Sequence, residues 1–358
     1  NRVKRMKNTK ALAHIRQLCG LGVESHAVMP ALMHALHDLI PSSNNLFVWT
    51  DAEGQVVDRY CEVHLPAVIE AARQDLPGKT DVPALARSGA AVGNLRQRPS
   101  SFYRSPYYAE VYRPMRARHS LDAVVRTARG TEGVLILHRD SDTAFSDEEA
   151  GELAAVLPYI RQLWTKPPGP ASEVFNDTEG HGTLVCDSDG HIRHGSRNAA
   201  QLLAMAQRQG AMSCSGGNKQ LPPELMALQQ RLLTLDTPGA HAGPPVLYVN
   251  NRWGRFVFRA SWLEGVGHGA TPLVAIGITR QEPLAVSVVR GLQSSPLSPK
   301  QRDVALMLVT GRSAEDIVKE LSISVTTYKD HLRKIYEKLG ISKRVDLIHH
   351  LTQPTPAP

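Results

Sequence analysis

The chain of 358 residues has little cysteine and no long hydrophobic run. Its four cysteines (Cys19, Cys61, Cys186 and Cys214) stand far apart, so neither a disulfide framework nor a cysteine-based zinc site is predicted. No stretch approaches the ~18 consecutive apolar residues of a membrane helix, and no apolar segment of a secretory signal follows the basic start. These absences predict a cytoplasmic protein with reduced thiols and no membrane partner.

Catalytic and cofactor motifs are also missing. The chain contains no GxSxG turn, no HExxH zinc motif and no GxGxxG dinucleotide loop. Gly78-Lys79-Thr80 imitates the end of a phosphate-binding loop, but Arg73 stands where the first glycine belongs. The pairs His34/His37 and His191/His194 lack a third ligand at a fixed spacing. The sequence therefore predicts no catalytic residue, no cofactor and no metal site.

Charge and proline content divide the chain into domains. Lysine and arginine outnumber acidic residues by 41 to 34, and the net charge of +7 favours an anionic partner. Residues 166–170 are too rich in proline to continue a helix or join a sheet, and a second break at residues 293–296 precedes the last helices. The prediction is two α+β domains at residues 10–166 and 171–282, a linker helix at 283–296, and an all-α domain at 297–352.

The C-terminal segment carries start and stop signals for four helices. Ser298 is positioned to cap the first helix, and Ser313, with Asp316 three residues later, to cap the second. A third helix is predicted at residues 325–339 and a fourth at residues 343–351. A short helix, a tight turn and a longer polar helix form a helix-turn-helix pattern.

The third of these helices is amphipathic. Its apolar residues fall on one face, at Tyr328, Leu332, Ile335 and Leu339. The opposite face is polar and mostly basic, with Thr326, Lys329, Asp330, Arg333, Lys334 and Glu337. All of these except Glu337 are predicted to contact DNA, together with the neighbouring Lys338. Lysine and arginine reach phosphates and guanine edges, and threonine can touch a thymine methyl group. A plain solvent-exposed face is the alternative. For Asp330, a bond to a cytosine amino group and a charge turned away from phosphate both stay open.

Several spaced segments of this domain match a known pattern at once, over about 55 residues and without an insertion or deletion. They are Leu297–Val304, Gly311–Ile317, Leu321–His331 and Lys338–Gly340, followed by Arg344. Together they resemble the LuxR/GerE-type (NarL/FixJ-type) domain. The resemblance implies a transcriptional regulator that binds double-stranded DNA through its third helix and dimerises largely through its fourth. Gln301, Tyr328 and Lys334 depart from the usual Glu, Val and Asn of that family. These departures leave the base preference open.

The middle domain shows two strands, a helix and three further strands in order. A hairpin around the turn Ser188-Asp189-Gly190 opens it, and strands are predicted at residues 246–249, 255–262 and 273–279. This order, and especially the segment from Cys186 to Ile192, resembles a PAS sensory domain. Cys186 itself is expected to be a buried small apolar residue.

The first domain resembles a GAF sensory domain. It combines an N-terminal helical pattern, a hairpin over residues 46–62, a late strand at 133–137 and a helix that begins after Ser146. Between Arg87 and Arg129, arginines alternate with aromatic residues. The residues predicted to hold an anionic or aromatic effector are Trp49, Tyr103, Arg104, Tyr107, Tyr108 and Tyr112. A solvated rim over core aromatics is the alternative.

These patterns predict a one-component regulator in which a small-molecule effector or a partner, bound upstream, controls operator binding by a homodimer. The linker helix is expected to extend the dimer interface through Leu284, Val288, Val289 and Leu292. The alternative is a protein-interaction sensor whose helix-turn-helix serves a larger transcription complex, as a sigma-like piece of RNA polymerase would. The apolar fourth helix favours the first hypothesis, because a sigma-like piece needs no dimer helix.

Overall fold

The computed structural model describes residues 2–74, 76–77, 79, 82–87, 92–94, 100–165, 174–208, 220–235, 243–264 and 272–352. The predicted linker at 166–170 and Cys214 lie outside these residues. The chain divides into two compact units, of which one comprises Asn1–Ser172 with Ala285–Pro358 and the other Glu173–Leu284. Among the described helices, none combines the length and the apolar character needed to cross a bilayer.

The first unit contains a five-stranded antiparallel sheet in the order β2-β1-β5-β4-β3. Its strands are β1 (Asn44–Thr50), β2 (Val56–Cys61), β3 (Val92–Asn94), β4 (His119–Thr127) and β5 (Gly130–Arg139). Successive side chains of a strand face opposite sides of a sheet. Leu46 and Val48 of β1 therefore share one face, and Phe47 and Trp49 share the other.

Helices cover both faces of this sheet. The face with Phe47 carries α1 (Arg2–Cys19), α2 (Ser25–Leu39) and α5 (Asp147–Ile160), and the short α6 (Gln162–Thr165) follows α5. The other face carries α3 (Pro66–Arg73), α4 (Val82–Arg87) and the π-helix Tyr108–Tyr112. Ser146 accepts a hydrogen bond from the backbone N–H of Glu149, whose carboxylate accepts one from that of Ser146. This capping box confirms the predicted start of α5.

β4 was not predicted from the sequence. The sequence indicates only a basic stretch with aromatics from Arg87 to Arg129, but residues 120–125 of that stretch are all buried in a strand that pairs with β3 and β5. The flanking arginines and the polar Ser120 and Asp122 obscured this buried segment, whose burial does not alternate because both faces of the sheet are covered. The α+β class of the domain is nevertheless as predicted.

The second unit contains another five-stranded antiparallel sheet. Its elements are β6 (Phe175–Cys186), β7 (Ile192–Gly195), α7 (Ala199–Ala206), α8 (Pro223–Leu235), β8 (Val246–Asn251), β9 (Gly254–Leu263) and β10 (Leu273–Pro283). The order β7-β6-β10-β9-β8 repeats the connectivity of the first sheet. The predicted succession of two strands, a helix and three strands is confirmed. The sequence analysis missed α8, whose Leu225 and Leu228 are buried.

The C-terminal helices follow the predicted pattern. After α9 (Leu284–Ser294) come α10 (Pro299–Val309), α11 (Ala314–Glu320), α12 (Val325–Leu339) and α13 (Arg344–Thr352). Ser298, Ser313 and Ser324 each accept a hydrogen bond from the backbone N–H three residues later, as N-caps do. Gly340 ends α12 in the left-handed conformation, with φ of 65°. The predicted all-α helix-turn-helix domain is confirmed.

The expected role of α9 in a dimer is wrong. Val288, Val289 and Leu292 are fully buried within a single chain, so this face is not free to meet a second copy. A Cβ on Gly291 would lie 2.0 Å from the carbonyl oxygen of Leu351, which shows how closely α9 packs on α13. The apolar spacing correctly indicated a buried face, but that face is covered within the single chain, and α9 approaches α13 closely at Gly291.

Candidate nucleic-acid interface

The two sides of α12 differ sharply in burial and charge. Tyr328, Ile335 and Leu339 are buried, as the apolar spacing predicts. The opposite side holds most of the residues predicted to meet DNA: Thr326, Lys329, Arg333 and Lys334 are exposed, and Asp330 is half-buried. A helix of 15 residues is long enough, at ~1.5 Å per residue, to lie across a major groove about 12 Å wide.

Ion pairs order the polar face. The carboxylate of Asp330 lies 2.8 Å from Arg333 and 2.7 Å from Lys334, and the carboxylate of Glu337 lies 2.7 Å from Arg333. Hydrogen bonds from Lys334 and Arg333 lower the pKa of Asp330, and bonds to Asp330 and Glu337 raise the pKa of Arg333. Exposed pairs of this kind contribute little to stability, because water screens them and two long side chains must be ordered to form them. A phosphate can therefore displace the carboxylates of Asp330 and Glu337 from Arg333 with little loss of free energy.

Two lysines of α12 differ in how they are engaged. The ammonium group of Lys338 donates to the carbonyl oxygen of Pro296 at 3.2 Å and to the side-chain oxygen of Gln301 at 3.0 Å. Lys338 thus contacts the start of α10, where its charge is partly engaged within the domain. Within the described residues, no acidic side chain pairs with Lys329, which leaves its charge open to an anion.

Exposed cations outside α12 were not predicted as site residues. Arg312 precedes α11, Lys319 lies near its end, and Lys343 precedes α13; all three are exposed. For Arg312 and Lys343 the position beside a helix N-terminus was the available signal, because the free backbone N–H groups there also favour anions.

The residues predicted to hold an effector divide between two separate pockets. Tyr107 and Tyr112 line an inner cavity of about 610 Å³ between the first sheet and the π-helix. Tyr103, Arg104 and Tyr108 line an open outer pocket of about 340 Å³. The two pockets share no lining residue.

Trp49 lines neither pocket, which corrects its expected place beside the tyrosines. Its ring stacks on His26 with centroids 4.1 Å apart, and its Nε1 donates to the hydroxyl of Ser25 at 3.2 Å. The reason is strand alternation, since Val48 faces the inner cavity and its neighbour Trp49 must face the helices on the other side.

Some polar residues of these pockets were missed as site residues. In the inner cavity they are Gln55, Arg59, Lys79 and His138, and in the outer pocket Arg113, Arg116, Arg118 and Asp140. The arginines of the outer pocket belong to the predicted arginine and tyrosine stretch, so their spacing was a usable signal. The residues of the inner cavity come from distant segments, and no local pattern joins them.

Cys186 and His37, two residues considered in the sequence for redox or metal chemistry, are engaged in packing and hydrogen bonds. Cys186 is buried, as predicted, and burial raises its pKa to about 11. The two ring nitrogens of His37 bond Glu62 at 2.9 Å and Ser42 at 2.8 Å, which accounts for that histidine without a metal. The ligand atoms of His191, Asp187 and Asp189 lie within 4.8 Å of one another, a grouping that could hold a metal ion and that the pair His191/His194 did not predict.

Comparison with known proteins adds a family for the C-terminal helices. The model of bacterial regulatory proteins, luxR family, matches residues 295–351. Proteins of Mycobacterium bovis and Mycobacterium tuberculosis named as HTH-type transcriptional regulators are 28% identical over 170 residues, or 48% of this chain. The chain spans only about a fifth (19%) of the length of these curated relatives.

Solved structures give weaker similarities. The GAF domain of the cyanobacteriochrome TePixJ is 15% identical, with a TM-score of 0.32 over 41% of this chain and 92% of that one. The LuxR-type receptor VqmA of Vibrio cholerae is 13% identical, with a TM-score of 0.17 over 48% of this chain and 82% of that one. The domain architecture rests instead on the strand orders and helices described above. The family match coincides with α10–α13, and residues 295–351 form a helix-turn-helix domain of the luxR family.

Proposed function

We propose that the chain is a transcriptional regulator that binds double-stranded DNA by placing α12 in the major groove. The observation that carries this proposal is the arrangement of α12, whose buried apolar side fixes a polar, mostly cationic side at the surface. Its location within the luxR-family match gives that surface a DNA-binding context. In this proposal Thr326, Lys329, Asp330, Arg333 and Lys334 face the groove, and Lys338 lies at its edge.

The charges of α12 suggest how binding proceeds. Lys329 contacts phosphate directly, because no acidic side chain among the described residues pairs with its ammonium group. Arg333 exchanges Asp330 and Glu337 for a phosphate or a guanine, and its planar guanidinium suits both acceptors. Release of counterions from the DNA then adds a salt-dependent contribution to the affinity.

The same proposal gives the upstream domains a sensory role. Residues 10–166 and 171–282 form GAF-like and PAS-like sensors, residues 283–296 a linker helix and residues 297–352 the DNA-binding domain. The inner cavity of the first sheet, with apolar walls and a few polar groups, suits a small organic effector. Gln17 and Arg16 of α1 contact Asp303 of α10 at 3.0 and 3.9 Å, which offers a path from this sensor to the DNA-binding domain.

No catalytic function is proposed, since the family match and the relatives named as transcriptional regulators indicate a regulatory protein. A regulator that meets chromosomal DNA acts in the cytoplasm, where we place this one.

Operator binding is tested with duplexes selected from a random library by the full chain. Fluorescence anisotropy should show that Lys329→Ala and Arg333→Ala each weaken binding about tenfold or more, since a lost contact of this kind costs ~1–3 kcal/mol. Lys10→Ala removes the same charge from an exposed site on α1 and serves as the matched control. Wild-type affinity in both folded variants refutes the groove assignment.

Effector binding is tested by native mass spectrometry of the purified full chain. A small molecule that is retained by the wild type, and lost in the cavity-filling variant Ala72→Phe, supports the inner cavity as the effector site, because Ala72 lines it. Exposed Ala52→Phe is the control. A retained molecule that both variants keep contradicts that location.

A further inference from the structure

Arginine dominates the outer pocket of the first unit. Its charged residues are Arg104, Arg113, Arg116, Arg118 and Asp140, and Tyr103 and Tyr108 supply aromatic rings. Its volume of about 340 Å³ falls within the ~300–1,000 Å³ range of small-molecule pockets.

Most of the positive charge in this pocket is not neutralised. Arg118 pairs with Asp142. For Arg104, Arg113 and Arg116, no acidic partner exists within the described part of the chain. Neighbouring like charges repel each other, and a bound anion relieves that repulsion. Three guanidinium groups around one concavity suit phosphate in particular, because each can donate two parallel hydrogen bonds to its oxygens.

The remaining polar and aromatic groups indicate more than a bare phosphate. Tyr103 is 42% exposed, and its ring meets that of Tyr108 edge to face, with centroids 5.3 Å apart. Such rings offer a face on which a planar base can stack. The carboxylate of Asp140 accepts hydrogen bonds and therefore suits the hydroxyl groups of a sugar.

The backbone here is shaped to bring these groups together. The N–H of Arg113 donates to the carbonyl oxygen of Tyr108 at 2.9 Å, five residues back, so one wide turn places both side chains on the pocket. Arg116 has φ of 54°, a left-handed conformation that costs free energy for a residue with a side chain. Widened and strained turns of this kind concentrate at ligand sites.

We propose that the outer pocket binds a nucleotide, whose phosphates lie against Arg104, Arg113 and Arg116. The base stacks on Tyr103 or Tyr108, and the ribose hydroxyls meet Asp140. This site goes beyond the proposed function and does not depend on it, because it shares no residue with α12 or with the inner cavity.

The test uses the full chain and the fluorescent N-methylanthraniloyl derivatives of ATP and GTP. We expect saturable binding of at least one probe by anisotropy, with displacement by the unlabelled nucleotide and, more weakly, by inorganic pyrophosphate. The parent nucleoside should not displace the probe at the same concentration, because it carries no phosphate. Arg113→Ala and Arg116→Gly should each weaken binding about tenfold, the loss typical of a charged hydrogen bond. Glycine is chosen at Arg116 because it tolerates positive φ.

Two controls separate this site from its surroundings. Arg197→Ala removes an exposed arginine of the second unit, and Ala72→Phe fills the inner cavity; both should bind the probe like the wild type. Three results overturn the proposal: no saturable binding of either probe, equal binding by folded Arg113→Ala and Arg116→Gly, or displacement by duplex DNA without displacement by nucleotides. The last would make the pocket part of a DNA surface.

Discussion

Asp330 occupies the middle of the polar face of α12 and is bonded to both Lys334 and Arg333. If it acts as an internal counter-charge, Asp330→Ala frees Lys334, leaves Arg333 paired only with Glu337, and removes a charge that repels phosphate. We then expect severalfold tighter binding to a duplex without operator sequence, and a salt dependence steeper by about one phosphate contact. Anisotropy titrations over a range of salt concentrations measure both, with exposed Glu53→Ala as the control for charge.

The other interpretation of Asp330, as a residue that contacts a base, predicts a different result for Asp330→Ala. If its carboxylate accepts a hydrogen bond from a cytosine amino group, the variant loses affinity for operator and discrimination at one base pair. Weaker operator binding, with unchanged binding to other DNA, would contradict the counter-charge role.

His14 of α1 is buried, and its pKa is lowered to about 4 by burial and by the nearby charges of His34, Arg290 and Arg302. In the unfolded chain a histidine titrates near ~6.5. As pH falls through this interval, the unfolded chain takes up a proton that the folded chain refuses, so stability falls. We expect the melting temperature of His14→Leu to decline less steeply than that of the wild type between pH 6.5 and 4.

Only the slope tests this role, because leucine also changes packing at every pH. Exposed His194→Leu is the control and should keep the wild-type slope. Parallel curves for His14→Leu and the wild type would show that this histidine does not contribute to acid sensitivity.

At the scale of elements, Gly291 controls how closely α9 approaches α13. A Cβ at this position would lie 2.0 Å from the carbonyl oxygen of Leu351, and backbone cannot move aside as a flexible side chain can. We expect Gly291→Ala to destabilise the protein by about 1–3 kcal/mol, the usual cost of overpacking. Thermal or denaturant unfolding of the full chain measures it.

Gly151 of α5 is the matched control, because a Cβ there meets nothing within 4 Å. Gly151→Ala should stabilise the chain by about 0.5–1 kcal/mol, since alanine has the higher helix propensity. A Gly291→Ala variant that is equally stabilised would mean that α9 and α13 do not touch.

Elements with strong local signals were predictable from sequence. Ser298, Ser313 and Ser324 cap helices through bonds to residues three positions away, so a short stretch of sequence contains the whole cause. The apolar face of α9 was visible too, but the sequence could not show which surface covers it, because Leu351 lies far along the chain from Gly291.

The candidate sites follow the same division. The polar face of α12 could be predicted, since helical periodicity alone places its residues. The Gln301 partner of Lys338 was not predictable, because the fold brings that pair together across 37 residues. Side chains alternate along β1, so Trp49 and its neighbour Val48 face opposite sides of the sheet. The pairing of β1 with β2 and β5 fixes which side each faces, and the sequence alone did not show it.

At the scale of the whole molecule, a DNA-binding domain with one short recognition helix gains from being presented twice. The second half-site is then met at an effective concentration of about millimolar for a short connection. With the apolar face of α9 buried, α13 is the better candidate for the contact between copies, since its Val345 is 73% exposed. The luxR-family resemblance points to the same helix. We therefore expect a homodimer on an operator of roughly two-fold symmetry.

The dimer is tested by comparing the full chain with Val345→Glu on full and half operators, alongside masses from light scattering. The wild type should bind the full operator about a hundredfold more tightly than the half operator, and Val345→Glu should lose most of this difference because a buried charge opposes association. Val57→Glu, at a similarly exposed valine on β2, should behave like the wild type. Equal affinity of the wild type for both duplexes, together with a monomeric mass at micromolar concentration, would rule out the dimer and leave a regulator that binds a single half-site.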